Sequence, residues 1–195
     1  MVGGVATLVD TFVRTAHAGG LPMVMWAPPD TAVPDGLPLE ATYRLRPHIA
    51  SDRERHAANA ATLRELVQVH RPSGVLFLDQ AVRAAGQGPR LGVPYAAYLH
   101  GSEARLVNPT SHLSHRITLL RRALRRADVM LANSKATAQI VDRLWPTFRC
   151  DVVLPAVDMA RAYDPAQHVS PPAACDTDAF VLLTVSRVVP RKGHA

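Results

Sequence analysis

The stretch Gly92-Val93-Pro94-Tyr95-Ala96-Ala97-Tyr98-Leu99-His100-Gly101-Ser102-Glu103 decides how the chain is read. Pro94 opens a short apolar run of the length of a buried strand, and the run stops abruptly at a polar His-Gly-Ser-Glu cluster. In an open parallel sheet, ligands collect at the carboxyl ends of strands. His100 falls at such an end, and Gly101 lets the backbone turn sharply there. The other explanation of the same residues, a strand followed by an ordinary turn with His100 merely polar at its exit, stays open on this stretch alone.

Upstream, Val5, Leu8, Val9, Phe12, Val13 and Ala16 fall on one helical face directly after Gly3 and Gly4, and Gly19-Gly20 closes the helix. Glycines ahead of a helix let a ligand approach the backbone, where exposed N–H groups and the helix dipole favour a phosphate. A plain turn explains Gly3 and Gly4 without any ligand. Leu21 to Ala27 reads as a strand, Pro28 to Pro38 as a loop of turn formers, and Ala41 to Arg46 as an edge-like strand. Ser51 is an N-cap ahead of Asp52 and Glu54. It starts a helix that runs to about His70 with Ala60, Leu63 and Val67 inward, and Arg71-Pro72 ends it. Val75 to Leu78 is a short buried strand, and a connection containing a short helix leads to Tyr95.

Downstream, Leu113 to Arg126 is amphipathic, with Leu113, Ile117, Leu120 and Leu124 inward and five arginines mostly outward. Contact with an anionic membrane surface and a simple solvated face both fit this pattern. Val129 to Ala132 is another strand, Ser134 caps a helix ending near Trp145-Pro146, and Asp151 to Leu154 is a last strand before an irregular, proline-bearing segment. Strands alternating with helices at this interval predict an α/β fold, a Rossmann-like parallel sheet with helices on both faces. Residues 1–165 are assigned to that domain and 166–179 to a linker. Residues 180–195 hold the apolar strand Phe180 to Val185 and the loop after it, the opening of a second domain.

With 195 residues, of which 48% are hydrophobic, the chain can bury a real core. No run approaches the roughly 18 apolar residues of a membrane span, and the amino terminus has no signal-peptide pattern; a cytoplasmic location is the expectation. Cys150 and Cys175 lack metal-ligand spacing and read as reduced thiols. The net charge of +6 favours anionic partners. With 5% aromatic residues and no zinc-finger, RNA-recognition or basic-zipper pattern, nucleic acid is not the expected one.

Five stretches occur in one order: the Gly3-Gly4 loop; Val93 through Glu103; Arg126-Ala127-Asp128-Val129-Met130-Leu131-Ala132-Asn133-Ser134; Leu154-Pro155-Ala156-Val157-Asp158; and Val185-Ser186-Arg187-Val188-Val189-Pro190-Arg191-Lys192-Gly193. In this order they resemble the retaining, nucleotide-sugar-dependent glycosyltransferases of GT-B architecture, the group that includes bacterial mannosyl- and glucosyltransferases. The resemblance covers nearly the whole chain. It implies two Rossmann-like domains, the first mostly for the acceptor and the second mostly for the sugar nucleotide; this chain matches the first and the start of the second.

By the same resemblance, Arg187 and Lys192 contact the donor diphosphate, and Gly3 and Gly4 bring backbone N–H groups to it. His100 stands beside the transferred sugar as the catalytic residue. Gly101, Ser102 and Glu103 belong to the acceptor side, with Glu103 structural or acceptor-binding rather than a base. The implied substrates are a UDP- or GDP-sugar and a sugar or lipid-linked acceptor, with no cofactor and no metal. The chain departs from the family pattern at Ser186 and Ala156, each where glycine is usual. A strand normally ahead of the Gly-Gly loop and the donor domain's Glu, seven residues, Glu motif are also not in the sequence. The expectation is therefore a glycosyltransferase fragment, peripheral at the inner membrane face and inactive alone. The alternative is a non-catalytic module binding an anionic or lipid acceptor, or half of a split enzyme; a sugar-nucleotide epimerase fits the motif spacing less well.

Overall fold

The structure, a computed structural model, describes residues 4–27, 36–44, 51–101 and 115–156. The chain divides into two compact units, Met1–Asp158 and Met159–Ala195, and every described residue belongs to the first. Gly3, Ser102, Glu103, Leu113, Cys175, Arg187 and Lys192 lie outside the described residues, as do the proline-rich residues 28–35 and the expected strand Phe180 to Val185.

Helix α1 spans Gly4–Ala18. Its end follows from Gly20, which takes φ +76° and lets the Leu21 amide reach back to the Ala16 carbonyl at 3.0 Å. Strand β1 is Val24–Ala27, shorter than the expected run, and the Met23 carbonyl just ahead of it accepts the Glu40 N–H at 2.9 Å. It pairs in parallel with β2, Ala41–Arg44, whose alternating half-buried and exposed residues mark one solvated face. Helix α2, Asp52–His70, starts at Ser51, whose hydroxyl oxygen accepts the Glu54 N–H while its O–H donates to the Glu54 carboxylate at 2.9 Å. It stops at Arg71, held at φ +45° ahead of Pro72. Ala60 and Leu63 are buried as the spacing predicts and Val67 is half-buried, but His56 and Asn59 are buried too. The inward face of this helix is therefore partly polar.

After β3, Val75–Phe77, a 3-10 turn at Gln80–Val82 runs into the short helix α3, Arg83–Gly86. Strand β4, Tyr95–Leu99, lies between β3 and β5, Val129–Ala132, and helix α4, His115–Arg126, connects it to β5. Helix α5, Lys135–Leu144, leads on to β6, Cys150–Val152. All pairings are parallel, in the order β3-β4-β5-β6, while β1-β2 is a separate two-stranded sheet. The single sheet expected from the alternation of elements is therefore two sheets, because no described hydrogen-bond ladder joins β1 to β3.

The core forms where α2, α3 and α4 cover the four-stranded sheet. It centres on Leu63, Phe77, Leu99, Leu120, Leu124 and Met130, with Val141 of α5 and half-buried Trp26 of β1 in contact. Each fully buried leucine contributes about 1.5–3 kcal/mol. On α4, Leu120 and Leu124 face inward as expected, together with Leu119 and Ala123, whereas Ile117 is half-buried. Helices α3 and α4 come so close because Gly86 has no side chain: a Cβ there would lie 2.1 Å from the Leu119 carbonyl oxygen.

Candidate active site

Strand β4, paired on both edges, is apolar on its faces because residues of the covering helices pack against it. Its last residue, Leu99, is 1% exposed, so the chain leaves the core directly into His100. The carboxyl ends of β3, β5 and β6 lie beside this exit. The Asn133 amide donates to the Leu99 carbonyl at 3.0 Å and the Val153 amide to Ala132 at 2.9 Å, so the ladder continues one step past the strands on that edge.

His100 is held from two sides. Its Nε2 lies 2.7 Å from the Leu78 carbonyl oxygen, just past β3. A carbonyl only accepts, so Nε2 carries the proton and donates, which fixes the tautomer in the neutral ring. Tyr98, on the same face two residues earlier, presents its ring edge-on, with centroids 5.1 Å apart. The Tyr98 hydroxyl donates to the Val153 carbonyl at 2.7 Å, past β6, and burial raises its pKa above the usual phenol value. His100 is thereby tied to the exits of both outer strands of the sheet.

Gly101 takes φ +96°, and a Cβ on it would stand 3.2 Å from Thr137 Oγ1. Thr137 is buried in the first turn of α5, and its hydroxyl donates to Asn133 Oδ1 at 2.8 Å. Ser134 Oγ accepts the Thr137 N–H at 3.2 Å, so the helix is capped at the sheet edge. The turn after β4 thus packs against the positive end of the α5 dipole.

The structure brings together His100, Gly101, Asn133, Ser134 and Thr137. Gly4, expected in a loop ahead of the helix, is instead the first residue of α1, and Gly3 is outside the described residues. Asp79 is a residue that the sequence reading passed over. It follows the β3 exit, and its carboxylate accepts the Ala81 N–H at 2.7 Å to start the 3-10 turn. A polar residue straight after Val75 to Leu78 was the available signal, the same one that marks His100.

Cys150 is an unpaired thiol whose pKa is pushed up to about 11 by burial and by Asp142 and Asp151, so it is not an activated nucleophile. Among the described residues no three His, Cys, Asp or Glu side chains gather as a metal-holding group. No described helix is long and apolar enough to cross a membrane.

Parallel strands flanked by helices, with His100, the left-handed Gly101 and the capped start of α5 together at one carboxyl edge, define a Rossmann-like domain. The family model described as Glycosyltransferase Family 4 matches residues 2–161, and the chain belongs to that family. Comparison with curated proteins finds no match. Membership makes this the Rossmann-like amino-terminal domain of a GT-B glycosyltransferase, a transferase whose substrates are in general a sugar donor and an acceptor.

Proposed function

We propose that the chain serves a retaining transfer of a sugar from a UDP- or GDP-sugar to a sugar or lipid-linked acceptor, with His100 beside the transferred sugar. The mounting of His100 carries this reading. Its Nε2 proton is committed to Leu78 and its ring is braced by Tyr98, at the edge of the sheet where this fold class binds ligands. A histidine so held can meet a sugar hydroxyl or the oxocarbenium-like centre without losing rotamer freedom on binding.

Arg187 and Lys192 are proposed as cations on the donor diphosphate, and Gly3 and Gly4 as backbone donors to it. When the sugar departs, negative charge builds on the diphosphate. Fixed cations stabilise that charge electrostatically, and no metal is required in this scheme. Attack comes from the face the diphosphate leaves, and the acceptor hydroxyl gives its proton to the departing phosphate oxygen. No side chain acts as nucleophile, and Gly101, Ser102 and Glu103 serve the acceptor side. The proposed setting is cytoplasmic and peripheral to the inner membrane face.

Release of nucleoside diphosphate from UDP- and GDP-sugars, with the anomeric configuration of the product read by NMR, tests this reading. His100→Ala and Lys192→Ala each lower kcat/KM by about 10²–10³. Near-normal turnover in either variant removes that residue from the site, and an inverted product removes retention. Binding of a lipid or anionic acceptor with no binding of UDP or GDP replaces transfer by a non-catalytic binding module.

A further inference from the structure

Arg64 and Arg126 meet at the turn 87–88, at the other end of the sheet from His100, and Arg90 and Arg122 adjoin them along the chain. Arg64 projects from α2, Arg122 and Arg126 stand one turn apart on α4, and Arg90 lies in the loop that leads to β4. The turn at residues 87–88 gathers two of them. Arg64 donates from Nη2 to the Gln87 carbonyl and from Nη1 to Ala60 at 3.2 Å, while Arg126 donates from Nη1 to the Gly88 carbonyl at 2.8 Å. Gly88 makes room for this at φ +76°, since a Cβ there would lie 2.6 Å from Arg64 Nη2.

These partners are carbonyls, which accept hydrogen bonds but carry no charge to balance a guanidinium. Among the described residues none of the four arginines is ion-paired with a carboxylate, and Arg64 Nε is buried without an acceptor. Asp128, just ahead of β5, accepts the Tyr95 N–H at 2.9 Å. Tyr95 donates its hydroxyl to the Ala123 carbonyl. Burial and the charges of Arg122, Arg90 and Arg64 together disfavour the charged form of Arg126. Like charges held together in this way are unfavourable unless something outside the chain neutralises them. Guanidinium forks match the oxygens of a phosphate in paired hydrogen bonds.

We propose that Arg64, Arg90, Arg122 and Arg126 form a binding site for a phosphate-bearing anion at the amino-terminal end of the four-stranded sheet. The site is separated from His100 by the length of β4, roughly 16 Å at the usual strand rise. It is therefore distinct from the ligand edge and holds or senses a phosphate rather than taking part in sugar transfer. The phosphate is that of a lipid headgroup or of a soluble phosphorylated molecule, which present the same oxygens to the arginines.

Thermal unfolding of the purified protein in inorganic phosphate and in pyrophosphate, against chloride at matched ionic strength, tests the site. Both anions raise Tm, pyrophosphate more. Arg90→Gln/Arg122→Gln removes two exposed charges and leaves the Arg64 and Arg126 contacts intact. This variant binds pyrophosphate at least about tenfold more weakly. In chloride it is as stable as the unsubstituted protein or more so, because repulsion is relieved. An equal anion-dependent shift in this variant overturns the proposal, as does a shift lost in Lys192→Ala but kept here, which would place the anion elsewhere. Co-sedimentation with vesicles of phosphatidylcholine containing phosphatidic acid, competed by pyrophosphate and lost in the variant, assigns the phosphate to lipid. Pyrophosphate binding without such co-sedimentation assigns it to a soluble molecule.

Discussion

Gly101 leaves β4 at φ +96°, and the Cβ it lacks would stand 3.2 Å from Thr137 Oγ1 on α5. Conformation and contact therefore both require glycine at this position. Gly101→Ala is expected to destabilise by about 1–2 kcal/mol from the backbone term alone, seen as a fall of several degrees in Tm. Thr137→Ala removes the hydroxyl and with it the bond to Asn133. The double variant should lose less than the sum of the two single losses, because the contact between them is gone. Full additivity in thermal unfolding would show that Thr137 does not constrain the turn.

Gly86 faces a harder restriction, since the Leu119 carbonyl at 2.1 Å and the Ala123 amide nitrogen at 3.2 Å are backbone atoms that cannot rotate away. Gly86→Ala must push α3 from α4, at a cost of about 3 kcal/mol or more. Gly92 provides the control. It takes φ +84° with no atom within 4 Å of its Cβ position, so Gly92→Ala carries only the conformational cost, about 1–2 kcal/mol. Chemical denaturation of the two variants separates steric from conformational demand. A Gly86→Ala protein no less stable than Gly92→Ala would contradict the close packing.

The caps at Ser51 and Ser134 give a second comparison. Each accepts an N–H three residues on, at 3.2 Å, so replacement by alanine should cost about 1 kcal/mol at either site. Aspartate restores an acceptor and should recover most of that loss at Ser134. Ser134 also adjoins Asn133 and Thr137, so its alanine variant should perturb the turn after β4 as well, whereas Ser51→Ala should not. Hydrogen exchange at Gly101 reads that difference.

Alkaline pH should weaken the fold. Burial holds the Tyr95 phenol at about 12 and raises that of Tyr98, and burial with Asp142 and Asp151 holds the Cys150 thiol at about 11. All three folded values lie above the ordinary ones, so the folded state keeps protons that the unfolded chain releases. Their stabilising effect is complete below about pH 9 and is lost progressively as pH rises to about 12. Tyr95→Phe should flatten the upper part of this decline and Cys150→Ser the lower part, as measured by denaturation at stepped pH. An unchanged slope in both variants would remove these groups as its cause.

Much of the chain could be read locally. Ser51, Ser134, Gly20 and the Arg71-Pro72 stop end their helices through chemistry confined to a few residues. The apolar run into His100 located the candidate site because a buried central strand must meet solvent where its polarity changes. Less of the site's construction was legible. Tyr98 is within reach of the two-residue strand period, but Leu78 follows β3, and Asn133, Ser134 and Thr137 follow β5 more than thirty residues on, so no spacing rule connects those four to His100 and Gly101. The inward polar residues His56 and Asn59 also escaped a reading based on apolar periodicity.

Alternation of short apolar runs with amphipathic helices determined an α/β domain and the order of its elements, because strand and helix periodicities are properties of consecutive residues. The order of five short motifs pointed to a glycosyltransferase family, which the match over residues 2–161 shows. Only the tertiary structure decided that β1 and β2 form a sheet apart from β3 to β6, that Gly86 lets two helices meet, and that the His100 ring is tied to Leu78. It also decided that Arg64 of α2 and Arg126 of α4 meet at the turn 87–88. Each of these depends on atoms brought together across the chain, and such contacts are fixed by packing, which no local pattern encodes.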